Sequence, residues 1–321
     1  MRLPSRLRVI SDNDYSGDPD GLVQLVHHLL SPSVQLTTVI GSHLSPGDRF
    51  DASSQTADNA AAEARTVLGL LDIDDVSVVA GSNTAMPDAT TPIDNDAARA
   101  IIDEAMRDDP RPLYACFGAG LTSLASAWLL EPRIANRLTA IWIGGPEYPH
   151  VTTTSPDPLP SEYNTRIDIP AAQVIFNQSD IALWQIPRDT YRQVIVPFSD
   201  METWPATAGK VGAHLYDRLA QAAENDLRQG HAAGETYVLG DSPLVTFTAL
   251  QTMFHPDPAS SGSMWLPSPH LLPDGSYRKN QDGQLAGCRD DRRVRVFGAV
   301  DTWLTMTDLH GKLRRAAVPA P

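Results

Sequence analysis

The sequence predicts an α/β fold, with a mostly parallel central sheet flanked by helices on both faces. Two observations carry this reading. Short apolar runs alternate with segments of helical periodicity between residues 7 and 186, the pattern that right-handed βαβ crossovers produce. The first run also ends in four aspartates, Asp12, Asp14, Asp18 and Asp20, within nine positions. Parallel sheets bind their ligands at strand ends of that kind.

The elements come in order along the chain. Leu7–Ser11 reads as the first strand. Leu22, Val23, Val26, Leu29 and Leu30 then recur at helical spacing, and Ser31-Pro32-Ser33 stops that helix. Residues 34–40 (VQLTTVI) form a second strand, and 56–71 an alanine-rich helix. Strands at 76–81, 113–117, 138–145 and 181–186 alternate with helices at 95–107, 121–130 and 170–178. The stretch VRVFGAV and the residues after it, 294–313, close the chain as a strand and a helix. Residues 146–166 are proline-rich and polar, and a loop that long is functional or disordered. Residues 256–293 also read as loop. Specificity is expected in the variable loops 42–50, 83–95, 146–160 and 200–235. Without a repeat or a clean linker, residues 1–321 are expected to form a single domain.

Composition narrows the function. The formal net charge is −14, with lysine only at 210, 279 and 312. That argues against nucleic acid and anionic membranes as partners, because phosphate binding needs clustered Lys and Arg. The basic stretch Arg289–Arg293 is interrupted by acid and reads as a solvated turn. Cys116 and Cys288 have no zinc or disulfide spacing, which suits a reducing cytoplasm. No run approaches the ~18 apolar residues of a membrane span, and the N-terminus lacks the apolar core of a signal peptide. A soluble, cytoplasmic protein is the simplest reading.

Four carboxylates crowded at a strand end repel one another. Holding them ionised calls for a cation that takes oxygen ligands, Ca²⁺ or Mg²⁺. The bland alternative is a helix cap plus solvated turn acids. Two enzyme classes place D-x-D at the end of a first strand. A Mg²⁺-dependent phosphatase of the haloacid-dehalogenase type also needs a downstream lysine, for which this chain has few candidates. The nucleoside hydrolases open on D-x-D-P-G-x-D-D.

Later segments favour the second class. GAGLTSLASAWLLEPRIANRLTAIWIGGP (118–146), SEYNTRIDIPAAQVIF (161–176) and GDSPLVTFTAL (240–250) resemble, in order, further blocks of the inosine-uridine nucleoside hydrolase superfamily. The ending VFGAVDTWLTMTDLHGKL resembles that family's last strand and helix. The resemblance implies a nucleoside-hydrolase-like fold and Ca²⁺-dependent cleavage of the N-glycosidic bond of a ribonucleoside or related N-riboside. It also implies a homo-dimer or tetramer.

Carried over by position, Asp14 both binds Ca²⁺ and takes a proton from the attacking water, and Asp12 supports it. The Gly118 carbonyl and Asp241 are further metal ligands, and Glu162 and Asn164 hold sugar hydroxyls. The family's adjacent D-D is not intact here. Counting forward from Asp14 puts Asp18 on ribose and Pro19 on metal. Counting back from the helix puts Asp20 on ribose and Gly21 on metal. A two-residue insertion reconciles them, with Asp18 on sugar and Asp20 on metal. Gly240 replaces the His that often protonates the leaving base. GSHL (41–44) replaces the family's Gly-Asn, so His43 either faces the ligand or sits in an exposed loop. These departures motivate an alternative, a non-catalytic riboside-binding protein on the same fold.

The remaining residues have blander readings. His27 and His28 read as a surface residue and a packed one. Tyr148 and His150 read as exposed. Trp142 and Trp184 read as core, and Cys116 as an inert buried thiol.

Overall fold

The computed structural model describes residues 4–149, 151, 161–230, 234–252 and 261–316. Strands are β1 (Leu7–Asn13), β2 (Val34–Gly41), β3 (Ser77–Ala80), β4 (Leu113–Phe117), β5 (Thr139–Ile143), β6 (Ala182–Ile186), β7 (Ile195–Pro197), β8 (Thr236–Val238), β9 (Ser263–Ser268) and β10 (Arg289–Phe297). Helices are α1 (Asp20–Leu29), α2 (Thr56–Leu70), α3 (Asp96–Met106), α4 (Thr122–Leu130), α5 (Tyr163–Ile167), α6 (Ile169–Gln173), α7 (Arg188–Tyr191), α8 (Phe198–Met201), α9 (Trp204–Arg228), α10 (Pro243–Thr246) and α11 (Thr302–Ala316).

The main sheet has eight strands in the order β3-β2-β1-β4-β5-β6-β10-β9. Every pairing is parallel except β10 with β9, as the alternating pattern predicts. Strands β7 and β8 form a small antiparallel pair apart from it. Both faces of the inner strands are covered, so those strands are largely apolar on both sides. Along β1, Leu7 and Val9 pack into one core and Ile10 into the other. Along β5, Ile141 and Ile143 face the first core, and Ala140 and Trp142 the second. Among the described residues, no helix is long and apolar enough to cross a membrane.

Several expectations need correction. The stretch 200–235, read as loop, contains the longest described helix, α9. Pro205, Gly209 and Gly212 disguise it, and Gly209 does kink it, with φ 58°. The helical signal is nonetheless present in Val211, Leu215, Leu219 and Ala222, which are buried against α11, α2 and α1. The 256–293 loop contains β9 and the start of β10. There Arg292 is buried and donates to the carbonyls of Ile175 (2.5 Å) and Ile181 (2.8 Å), so Arg289–Arg293 is not a solvated turn. Tyr148 is fully buried, and its hydroxyl donates to Gln185 at 2.5 Å. His150 and residues 152–160 of the proline-rich loop lie outside the described residues. Trp142, Trp184 and Cys116 are buried as expected.

His27 and His28 are both buried, contrary to the surface reading of one of them. His28 Nδ1 lies 2.5 Å from Gln24 Nε2, and its Nε2 lies 2.8 Å from Thr248 Oγ1, whose hydroxyl donates to Leu244 O. One ring nitrogen therefore accepts and the other donates, which is the neutral form. Burial, with His27 and Lys312 nearby, pulls the His28 pKa from 6.5 to about 3. The unfolded chain thus takes a proton that the native state refuses. The stability that His28 contributes is complete above pH 6.5 and is lost as pH falls toward 3. Between pH 7 and 4, the stability gap between wild type and His28→Gln should shrink by about 3 kcal/mol in urea melts. A gap independent of pH contradicts this.

Candidate active site

Strand order reverses between β1 and β4, because β2 and β3 extend to one side and β5 and β6 to the other. Crevices for ligands open at such switch points. Here β1 ends at Asn13 and β4 at Phe117, and Gly118 N donates to Asp12 O across the two at 3.0 Å. A cavity of about 220 Å³ sits beyond those ends. Asp14, Asp18 and Asp20 line it from the β1–α1 turn, Gly118 from the end of β4, Asn164 from α5 and Asp241 from the turn before α10. Residues from 14 to 241 thus meet at one place.

Asn13, which the sequence motifs do not single out, sits beneath them. Its Nδ2 donates to Asp241 Oδ2 at 2.8 Å, and its Oδ1 accepts from Asp14 N at 2.9 Å. It ties the first aspartate loop to the last. Its amide also explains two glycines. A Cβ on Gly118 would lie 2.3 Å from Asn13 Nδ2, and one on Gly21 2.9 Å from it. Gly118→Ala should therefore cost about 1–3 kcal/mol of stability by overpacking. An Asn13→Ala background should restore most of it, and a melt series on the three variants checks this.

The electrostatics are severe. Burial, then Asp241, Asp18 and Asp48, push the Asp14 carboxyl well above its usual range. Burial, then Asp241, Asp18 and Asp14, do the same to Asp20. Burial raises Asp241 to about 7 despite the Asn13 hydrogen bond. Asp20 Oδ2 accepts from Asp241 N at 3.0 Å, and Asp18 Oδ1 accepts from the Tyr237 hydroxyl at 2.8 Å. Asp20 therefore sits with Asp241, and Asp18 with Tyr237. Gly21 is packed under Asn13 and has no side chain to offer.

Three expected site residues do not line the cavity. Asp12 is fully buried behind it, with a hydrogen bond from Ser42, and burial raises its carboxyl to about 7. His43 is neither on the cavity nor exposed. It is 3% exposed, with Nε2 2.9 Å from Thr122 Oγ1 and Nδ1 3.1 Å from Leu44 O. Glu162 caps α5. Its carboxylate accepts from Gly145 N, Asn164 N, Thr165 N and the hydroxyls of Thr165 and Tyr191, at 2.8–3.1 Å. A carboxylate so fully used has little left for a sugar. Asn164 does line the cavity. Its amide protons go to the carbonyls of Gly118 (2.9 Å) and Ile143 (2.8 Å), which leaves Oδ1 as its acceptor.

Arg49, Phe50, Ile143, Tyr163 and Tyr191, none of them given a role by the motifs, complete the wall together with Gly240. In the sequence, Gly240 registers only as a missing His. A Cβ there would lie 3.1 Å from Tyr191 Cδ2 and 3.3 Å from Asp20 Oδ2, so the tyrosine ring occupies the space before it. Among the described residues no lysine lines the cavity, and Lys312 is buried beside Asp308 and Ser31. The dehalogenase reading loses its required cation.

The sequence profile of the inosine-uridine preferring nucleoside hydrolase family matches residues 9–306. The chain belongs to that family. A nucleoside hydrolase of this family from Leishmania major is 35% identical over 100 residues, 31% of this chain and 31% of that protein. The one from Crithidia fasciculata is 36% identical over 90 residues, 28% of this chain and 26% of that protein. The matched stretch spans less than a third of either relative. A plant nucleoside hydrolase superposes with TM-score 0.72 at 19% identity, covering 96% of this chain and 99% of that one. A purine-preferring ribonucleoside hydrolase from Gardnerella vaginalis gives 0.70 at 19%, covering 98% and 100%. At such identity the likeness establishes the fold.

Among the described residues of this nucleoside hydrolase family member, no group of three or more His, Cys, Asp or Glu is arranged to hold a metal ion. The expected metal set of Asp14, Asp20, Asp241 and Gly118 shares one cavity without closing into a ligand shell. Part of the capacity of three of these donors goes elsewhere: Asp241 Oδ2 to Asn13, Asp20 Oδ2 to Asp241 N, and the Gly118 carbonyl to Asn164. The donor chemistry nevertheless suits a hard cation. All the donors are oxygens, and the carboxylates destabilise one another in their charged forms.

Proposed function

We propose that this protein hydrolyses the N-glycosidic bond of a ribonucleoside or related N-riboside, with Ca²⁺ as its cofactor. The carrying observation is the meeting of Asp14, Asp20, Asp241 and the Gly118 carbonyl at the β1/β4 switch point, in a chain of this family. In this reading Asp20, Asp241 and Gly118 O hold Ca²⁺ together with Asp14. The bound ion supplies a lowered pKa for the attacking water. Asp14 takes that water's proton. Asp18 and Asn164 Oδ1 accept hydrogen bonds from sugar hydroxyls, and a sugar lacking one leaves an acceptor unpaired. The anionic wall stabilises the positive charge that develops on the sugar as the C–N bond lengthens. Glu162 acts by holding α5 and Tyr191 in place.

From the same resemblance we take a single α/β domain, a homo-dimer or tetramer and a cytoplasmic location. Light scattering after gel filtration tests the assembly. The activity test is incubation with purine and pyrimidine ribonucleosides, with Ca²⁺ and with chelator. Chromatography should show free base, and a reducing-sugar assay ribose, only with Ca²⁺. Tight riboside binding without product overturns the hydrolase reading in favour of the binding protein.

A further inference from the structure

A riboside hydrolase must stabilise its leaving group as well as its sugar. Gly240 brings no side chain to this task. The remaining acids on the wall carry the wrong charge for a departing base that gains electron density. The cavity's described lining contains one cationic side chain, Arg49.

Its placement is built by local sequence. Ser45-Pro46-Gly47-Asp48 forms a tight turn with Asp48 N donating to Ser45 O at 3.2 Å and Gly47 at φ 72°. Proline followed by a positive-φ glycine suits a type II turn. Asp48 then anchors the loop. Its Oδ1 accepts from Phe50 N at 2.9 Å, and its Oδ2 accepts from the Tyr163 hydroxyl at 2.6 Å, pinning the loop to α5. The Arg49 guanidinium carbon lies 4.4 Å from the Phe50 ring centroid, and Nη1 donates to Asp226 of α9 at 2.5 Å. Arg49 is thus held by an aromatic face, an ion pair and a pinned turn. The Arg49 side chain is 39% exposed, which places it at the open side of the cavity rather than among the buried acids.

We propose that Arg49 is the leaving-group residue. This rests on the hydrolase reading above and deepens it. The guanidinium has five N–H donors, so pairing with Asp226 is compatible with a hydrogen bond to an acceptor on the base. As water oxygen bonds to the anomeric carbon, its proton passes to Asp14 and the C–N pair leaves on the base nitrogen. The base departs as an anion beside Arg49, which keeps its own protons. The proton held by Asp14 returns through solvent, so nucleoside and water give ribose and neutral base.

The test compares two leaving groups in wild type, Arg49→Gln and Arg49→Lys, with melts to confirm folding. One is the best ribonucleoside from the panel, and the other is p-nitrophenyl β-D-ribofuranoside, whose phenolate departs as a stable anion. Arg49→Gln should lower kcat on the nucleoside by about 100-fold, the usual effect of losing one preorganised donor. The loss on the nitrophenyl riboside should be at least roughly ten times smaller, and Arg49→Lys should fall between wild type and Arg49→Gln. Equal losses on both substrates, or no loss on either, overturn the proposal and leave the hydrolase reading standing. Wild-type inactivity on both overturns the hydrolase reading and the Arg49 role together.

Discussion

Asp14→Asn is expected to lower kcat for riboside cleavage by about 10³-fold, within the range by which a positioned general base contributes. KM should change little, because asparagine keeps the shape and one acceptor oxygen. The same substitution should raise the melting temperature of the metal-free protein. Asp14 is 3% exposed and faces Asp241, Asp18 and Asp48, so removing its charge relieves burial and repulsion together. A residue that costs stability and supports turnover follows the usual trade at active sites. Equal losses of rate and stability would instead mark Asp14 as structural.

Ca²⁺ should stabilise the wild type and have no effect on Asp241→Ala. A cation at 100 times its Kd contributes about 2.7 kcal/mol, which is roughly 5 °C for a chain of this size. Asp241 is the residue to remove. It interacts with Asp14 and Asp20, receives Asn13 Nδ2 and donates its own N–H to Asp20. Its loss removes one ligand and releases Asn13, which positions the Asp14 loop, while the backbone N–H to Asp20 remains. Chelation should likewise abolish wild-type turnover and leave the Asp241→Ala melt unchanged. A wild-type melt insensitive to Ca²⁺ contradicts the metal assignment.

Strands β1 to β6 and the end of β10 were legible because each is a short apolar run with a turn at its end, whereas the half-exposed edge strand β9 was read as loop. Helix α9 was not legible either, since Pro205, Gly209 and Gly212 look like loop residues and its apolar spacing emerges only after the kink. The aspartates were legible from their crowding. A division with Asp18 on sugar and Asp20 on metal followed from the sequence only by assuming a two-residue insertion; the hydrogen bonds that set the two apart come from Tyr237 and Asp241, more than 200 positions away. Asn13 was hidden in plain view between two aspartates. Its role depends on backbone approach at Gly21 and Gly118, which periodicity does not record. Glu162 matched the motif but serves as a helix cap, a use that sequence position alone does not distinguish from sugar binding. Arg49 lies in the 42–50 loop where specificity is expected, but within that loop only the Ser-Pro-Gly-Asp turn before it hints at a placed side chain.

The most direct test of the central claim is the fate of oxygen during turnover. Wild type with Ca²⁺ and a ribonucleoside, run in oxygen-18 water, should release base and ribose one for one. The ribose should carry a single oxygen-18 at its anomeric carbon when analysed before exchange. Release without the label, or label in the base, would contradict attack of water on the sugar carbon at the Asp14 cavity.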